Sequence, residues 1–125
     1  MRRMDFRKRS LNFLRGRAAE RACARWLKQQ GYRILARNFR IGRDEIDIVA
    51  RLASELVLVE VRFRSAGLGY AADSLSPKKL KSLRRAHRSF LHKFHLPFAH
   101  ARLDFVAVSR EGRRWQFEHR IGLGD

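Results

Sequence analysis

The chain has 125 residues, the size of one domain, and its 45% hydrophobic content is enough for a modest core, which argues against a disordered polymer. Its 29 Lys and Arg against 12 Asp and Glu leave a formal charge of +17, which points to a polyanionic partner: nucleic acid first, an anionic membrane surface second. The single cysteine, Cys23, excludes an internal disulfide and a finger-type zinc site and suits a reducing cytoplasm; no apolar run reaches membrane-spanning length, and no apolar stretch follows the basic start as a secretion signal requires.

Residues 1–14 read as a basic arm able to clamp a polyanion. Residues 16–30 read as a helix, because Ala18, Ala22, Cys23, Trp26 and Leu27 recur at helical spacing and Gly31 is a natural stop. Glu20 falls on the edge of that buried stripe. Taken alone, it reads as an ordinary boundary glutamate paired with Arg17 or Arg21. Strands are expected over 32–39, 45–50 and 56–63, with a basic turn at Arg40-Ile41-Gly42-Arg43 and a hairpin around Ala53-Ser54-Glu55.

A glycine-containing loop over 64–75 follows. Ser76-Pro77 then opens a second helix running to about residue 93, with a capping side chain followed by proline at the first helical position. Its buried side is expected to carry Leu80, Leu83, His87, Phe90, Leu91 and Phe94. Further strands are expected over 102–108 and 115–120. The order helix, three strands, helix, two strands makes an α/β domain with a mixed sheet of about five strands flanked by helices. The domain is placed at 15–120, with a short tail at 121–125.

If the second and third strands pair as a hairpin, Asp47 and Glu60 approach across neighbouring strands, and Glu20 on the first helix can close on the same place. Three carboxylates in so basic a chain need something to offset their repulsion. Hard oxygen ligands hold Mg²⁺ or Mn²⁺, and such a cation works on phosphate. Arg62, two residues after Glu60, supplies positive charge beside it. A glutamate inside the apolar run 56–61 is costly to bury unless it is used.

The motifs Gly16-Arg17-Ala18-Ala19-Glu20, Gly31-Tyr32-Arg33-Ile34-Leu35-Ala36-Arg37-Asn38, Glu45-Ile46-Asp47-Ile48-Val49 and Val57-Leu58-Val59-Glu60-Val61-Arg62-Phe63-Arg64, continued by Lys79, Ala86 and Arg102-Leu103-Asp104-Phe105-Val106, resemble the bacterial YraN family over roughly residues 13–110. That family resembles the PD-(D/E)XK nucleases. The resemblance implies a restriction-endonuclease-like core close to archaeal Holliday-junction resolvases and metal-dependent cleavage of DNA, branched DNA included. It places the metal-binding acids at Glu20, Asp47 and Glu60, and it suggests a homodimer, as in junction-cutting relatives.

Two positions depart from the family pattern. Arg62 stands where the superfamily usually has lysine, and arginine stays protonated and cannot act as a base. Asp44 stands where the pattern has glycine; it either joins the metal shell through water or repels phosphate. Both departures keep open a second reading, a catalytically weak or inactive nucleic-acid-binding module, and a third is an RNA- or ribosome-associated basic protein.

Candidate nucleic-acid contacts are Arg40, Arg43, Arg64, Lys78, Lys79, Lys81 and Arg85. The lysines open a helix whose N-terminus itself favours anions, though they also read as a solvated face. His87, His92 and His95 read as structural rather than as a zinc site, and Trp26, Trp115 and Phe117 as packing. Asp104, in an apolar strand, reads either as a sheet-edge hydrogen-bond partner or as an outer group of the acidic site.

Overall fold

The computed structural model describes residues 3–64 and 75–123, with side chains from residue 14 onward. Helix α1 spans Arg3–Gln29 and is followed by β1 (Arg33–Ile41), β2 (Asp44–Leu52) and β3 (Glu55–Phe63). Helix α2 (Pro77–Lys93), a single 3-10 turn at Phe98–His100, β4 (Ala101–Glu111) and β5 (Arg114–Arg120) complete the chain. The five strands lie in chain order in one sheet. All neighbours are antiparallel except β3 and β4, which are parallel and joined through α2. This is the mixed α/β architecture expected, and it is consistent with a restriction-endonuclease-like core.

Two apolar clusters flank the sheet. On one face Ala19, Cys23 and Leu27 of α1 pack on Ile48, Ala50, Val57, Val59, Val106 and Val108. On the other, Leu83, Ala86 and Phe90 of α2 pack on Ile41, Val49, Leu58 and Leu103. Val57 and Val59 therefore serve α1 while Leu58 serves α2, the period-two division of a strand covered on both faces. Trp26 stacks on Phe117 with ring centroids 4.7 Å apart, so both are packing residues, as expected.

Local chemistry fixes the helix ends. Gly31, at φ +98°, closes α1: its N–H bonds the Lys28 carbonyl while the Tyr32 N–H bonds that of Leu27. Ser76 caps α2, its Oγ accepting from the Lys79 N–H at 3.1 Å, with Pro77 next. Two expectations differ from what is found. Helix α1 begins at Arg3 rather than at 16, so residues 3–14, expected as an arm, have helical backbone. Phe94, expected on the buried side of α2, is 45% exposed, because α2 ends one residue earlier. The loop expected over 64–75 lies almost wholly outside the described residues. Among the described residues no helix is long and apolar enough to cross a membrane.

Candidate functional site

The end of the β2–β3 hairpin distant from its turn is where the sheet opens. Ladder pairing runs from Leu52–Glu55 to Ile48–Val59 and stops there. Beyond it the Asp47 side chain takes over: its Oδ2 accepts the Val61 N–H at 2.9 Å, satisfying a donor the ladder has left. On the other side of β2, Asn38 of β1 lies between the register pairs Arg37–Ile48 and Phe39–Ile46, opposite Asp47, and its φ is +53°. Asn is one of the few residues that adopt this left-handed conformation readily. The reversal lets Arg37 point toward α1 while Phe39 packs on the α2 side.

These irregularities open a cleft of about 370 Å³. Its walls are Gly16, Arg17 and Glu20 from α1, Asn38 from β1, Glu45 and Asp47 from β2, Glu60, Val61 and Arg62 from β3, and Lys79 from α2. All four residues expected to carry chemistry, Glu20, Asp47, Glu60 and Arg62, thus line one cavity. A larger cavity of about 540 Å³ opens between α2, the start of β4 and the C-terminal segment, but it contains no carboxylate and its walls are mainly apolar.

Within the cleft the carboxylates are not equivalent. Asp47 and Glu60 are hydrogen-bonded to each other, and Glu60 is 3% exposed. Burial, then the hydrogen bond and charge of Glu60, push the Asp47 carboxyl up to about 8, against weaker opposition from the Val61 N–H and Lys79. The Asp47 carboxyl therefore keeps its proton at neutral pH. Glu20 instead faces Arg37, whose Nη2 lies 3.3 Å from its Oε1. Burial and the Asp47 charge raise the Glu20 carboxyl, and Arg37 and Asn38 partly offset them.

The cations divide likewise. Lys79 Nζ lies 3.1 Å from Glu60 Oε2. Arg62 has a buried Nε with no hydrogen-bond partner among the described residues. Burial, with the charge of Arg62 beside it, lowers the Arg64 guanidinium, which marks two cations held near each other at the end of β3. Such a pair suits an anion.

Several sequence expectations find a different place. Asp44, the added carboxylate, belongs to neither of the roles foreseen for it. Its oxygens accept Arg85 Nε at 2.8 Å and Nη2 at 2.7 Å, and Ser82 Oγ at 3.3 Å, tying the β1–β2 turn to α2. Arg85 in turn holds Asp44 below the usual carboxylate range, and its side chain is committed to that bond rather than presented as an isolated phosphate contact. Lys79, expected on the phosphate-tracking face, is in the acidic cleft. Arg40, Arg43, Lys78 and Lys81 are exposed.

Asp104 is a hydrogen-bond partner and does not line the cleft. It is fully buried and is met by Arg102 (2.8 and 3.0 Å), His119 (2.7 Å) and the Gly122 N–H (2.9 Å). Burial works to raise its carboxyl, but these bonds outweigh it and hold the group below its ordinary value. His87 is structural, its Nε2 2.8 Å from the Ala101 carbonyl, and His92 and His95 are exposed. Asn38 was not expected among the site residues, although it closes the motif Gly31–Asn38 and is an asparagine inside a run of strand formers.

Residues 19–108 match the family described as Uncharacterised protein family UPF0102. The chain is a member of UPF0102. This is the YraN family indicated by the motifs. A UPF0102 protein of Chlorobaculum parvum is 39% identical over 111 residues, covering 83% of this chain and 86% of that protein. One of Carboxydothermus hydrogenoformans is 35% identical over 105 residues, covering 83% and 89%. The solved structure titled "The structure of Pyrococcus Furiosus SfsA in complex with Ca2+" aligns with a TM-score of 0.44 and 16% identity, covering 90% of this chain and 64% of that chain.

Asp47, Glu60, Arg62 and Lys79 all fall inside the UPF0102 span. Among the described residues of this UPF0102 chain, no three His, Cys, Asp or Glu side chains are gathered closely enough to cage a metal ion. The donor set nevertheless fits a hard cation of the Mg²⁺ type. Such ions keep several waters and are commonly held by one or two carboxylates together with substrate phosphates. Asp47 and Glu60, a contacting pair of acids in one cleft, match that mode; a fully protein-caged ion does not.

Proposed function

We propose that this UPF0102 protein is a metal-dependent phosphodiesterase that acts on DNA as an endonuclease, branched DNA included. One observation carries the reading: a contacting Asp47–Glu60 pair inside a cleft whose other walls present Arg62 and Lys79, in a chain of formal charge +17. Asp47 and Glu60 would hold Mg²⁺ or Mn²⁺, with Glu20 lining the same cleft. The cation supplies a Lewis acid that polarises a phosphoryl oxygen and acidifies water.

The chain's own residues do the rest. Arg62, its Nε unpaired, orients the scissile phosphate and stabilises charge gathering on it. Asn38 and Arg37 hold Glu20 at the rim. Arg40, Arg43, Lys78 and Lys81 draw the flanking phosphates. Two copies acting together on a branched substrate would follow from the family resemblance.

A second reading has its own support. Arginine at 62 cannot exchange a proton, and Lys79 sits on Glu60, so the protein would bind nucleic acid without cutting it.

One experiment separates the two: nicking of linear and branched DNA with Mg²⁺ or Mn²⁺ by wild type, Asp47→Asn, Glu60→Gln and Arg62→Lys. Cleavage by wild type that falls at least 100-fold in the two carboxylate variants is expected on the first reading, the scale of removing a transition-state charge stabiliser (about 10²–10³). Equal cutting by wild type and both carboxylate variants rejects the assignment. Binding without cutting in wild type and Arg62→Lys alike supports the second reading.

A further inference from the structure

This inference rests on the metal-dependent reading of the cleft. Asp47 and Glu60 form a contacting pair of acids, and the cation that touches them is Lys79, 3.1 Å from Glu60 Oε2. The contact is unequal in a telling way. The Glu60 side chain is 3% exposed and that of Lys79 is 32% exposed, so the ammonium reaches the buried acid from the more exposed side.

The Lys79 backbone is a fixed pivot. It is the third residue of α2, and its N–H is bonded to Ser76 Oγ at 3.1 Å. The side chain is a point charge on a four-carbon stem, made for swinging rather than for locking. The contrast with Asp104 is plain. There an arginine makes two bonds, and a histidine and a backbone N–H complete the shell. On Glu60 the cation is a lysine, 3.1 Å away, and a divalent ion would offer twice its charge.

We propose that Lys79 is a resident counter-ion of the Asp47–Glu60 pair, displaced by the entering divalent cation and thereby released toward the substrate phosphate. Cation binding and the presentation of Lys79 are then one event. The site does not hold an unbalanced acidic pair when empty, and Lys79 and Arg62 line the same cleft. The cost falls on metal affinity, because the ion has to expel a cation of like sign.

The test needs no DNA. Mn²⁺ binding is titrated by electron paramagnetic resonance for wild type, Lys79→Met, Asp47→Asn, Glu60→Gln and Lys28→Met. The last removes the same charge from an exposed position on α1. Lys79→Met is expected to bind Mn²⁺ about tenfold more tightly than wild type, the effect of one nearby charge, with Lys28→Met unchanged and the carboxylate variants weakened.

The unaltered chain gives an independent readout. Amine acylation followed by mass spectrometry should show Lys79 labelling rise when Mn²⁺ is added, with Lys78 and Lys81 as internal references. Equal or weaker Mn²⁺ binding by Lys79→Met, or no rise in Lys79 labelling, overturns the displacement while leaving a metal site that still needs Asp47 and Glu60. If neither wild type nor Lys79→Met binds Mn²⁺ in a saturable way, the metal reading itself falls, and the inference with it.

Discussion

Two carboxylates of this chain are driven in opposite directions by their surroundings, and this fixes how stability follows pH. Burial, then Glu60, raises Asp47 to about 8. The folded chain therefore holds a proton that the unfolded chain releases at the ordinary carboxylate value. The associated stability is fully present below the unfolded value, near pH 4, and is lost as pH rises through about 8. Asp104 has the opposite sign: its folded value is depressed, so its contribution is present above the ordinary carboxylate range and is lost as pH falls below it. In the absence of metal, the thermal midpoint of wild type is expected to decline between pH 4.5 and 8.5. Asp47→Asn should flatten much of that decline, because an amide has no proton to lose. A scan in which both proteins show the same slope would remove Asp47 as its source. At the same scale Asp44 shows how a single departure from a family pattern can be misread. A carboxylate next to an acidic motif suggested metal or phosphate, yet its partners are Arg85 and Ser82, and the result is a tie between a turn and a helix.

Among the elements, β1 does most to shape the cleft, although it contributes few of its walls. A register shift between Ile34 and Ala36 and the left-handed Asn38 reverse the alternation of the strand, so that Arg37 reaches Glu20 while Phe39 and Ile41 stay in the α2-side core. A strand with regular alternation would put Arg37 and Phe39 on one face. Asn38→Val should therefore lower stability by ~1–2 kcal/mol, the cost of a left-handed conformation for a side chain with a branched Cβ, whereas Asn38→Gly should be near neutral. Urea unfolding of the two variants measures the difference; equal losses would show that the backbone conformation is not what asparagine supplies. Helix α2 is the complementary case. Its first turn holds no acid, and Lys78, Lys79 and Lys81 sit where the helix end is already positive. Among helix N-termini this is an unfavourable arrangement unless anions meet it, and Glu60 meets one of the three.

At the scale of the whole molecule, the chain has 12 acids against 29 basic side chains, and six of the acids are taken up by particular roles: Asp47, Glu60 and Glu20 in the cleft, Asp44 at the turn, Asp104 and Glu55 on Arg102. The exposed surface is left strongly positive. DNA affinity should accordingly fall steeply with salt, and the double variant Lys78→Gln/Lys81→Gln should reduce the slope of log affinity against log salt by about 2, close to ~0.9 for each phosphate contact removed. An unchanged slope would place the phosphate track elsewhere.

The element order, the mixed α/β class, the hairpin that brings Asp47 toward Glu60, and the family are legible in the residues alone, because periodicity, glycine and proline punctuation and motif order are local properties of the chain. Helix α2 is the clearest instance, since Ser76 and Pro77 state its start in the sequence. Which charge meets which emerges with the packed fold. Glu20 turns to Arg37, seventeen residues away, Asp44 to Arg85, and Lys79 leaves the solvent face for Glu60. Pairing of charges depends on distances across packed layers and on how much water remains between them, and neither quantity is written in the spacing of residues along a strand or a helix.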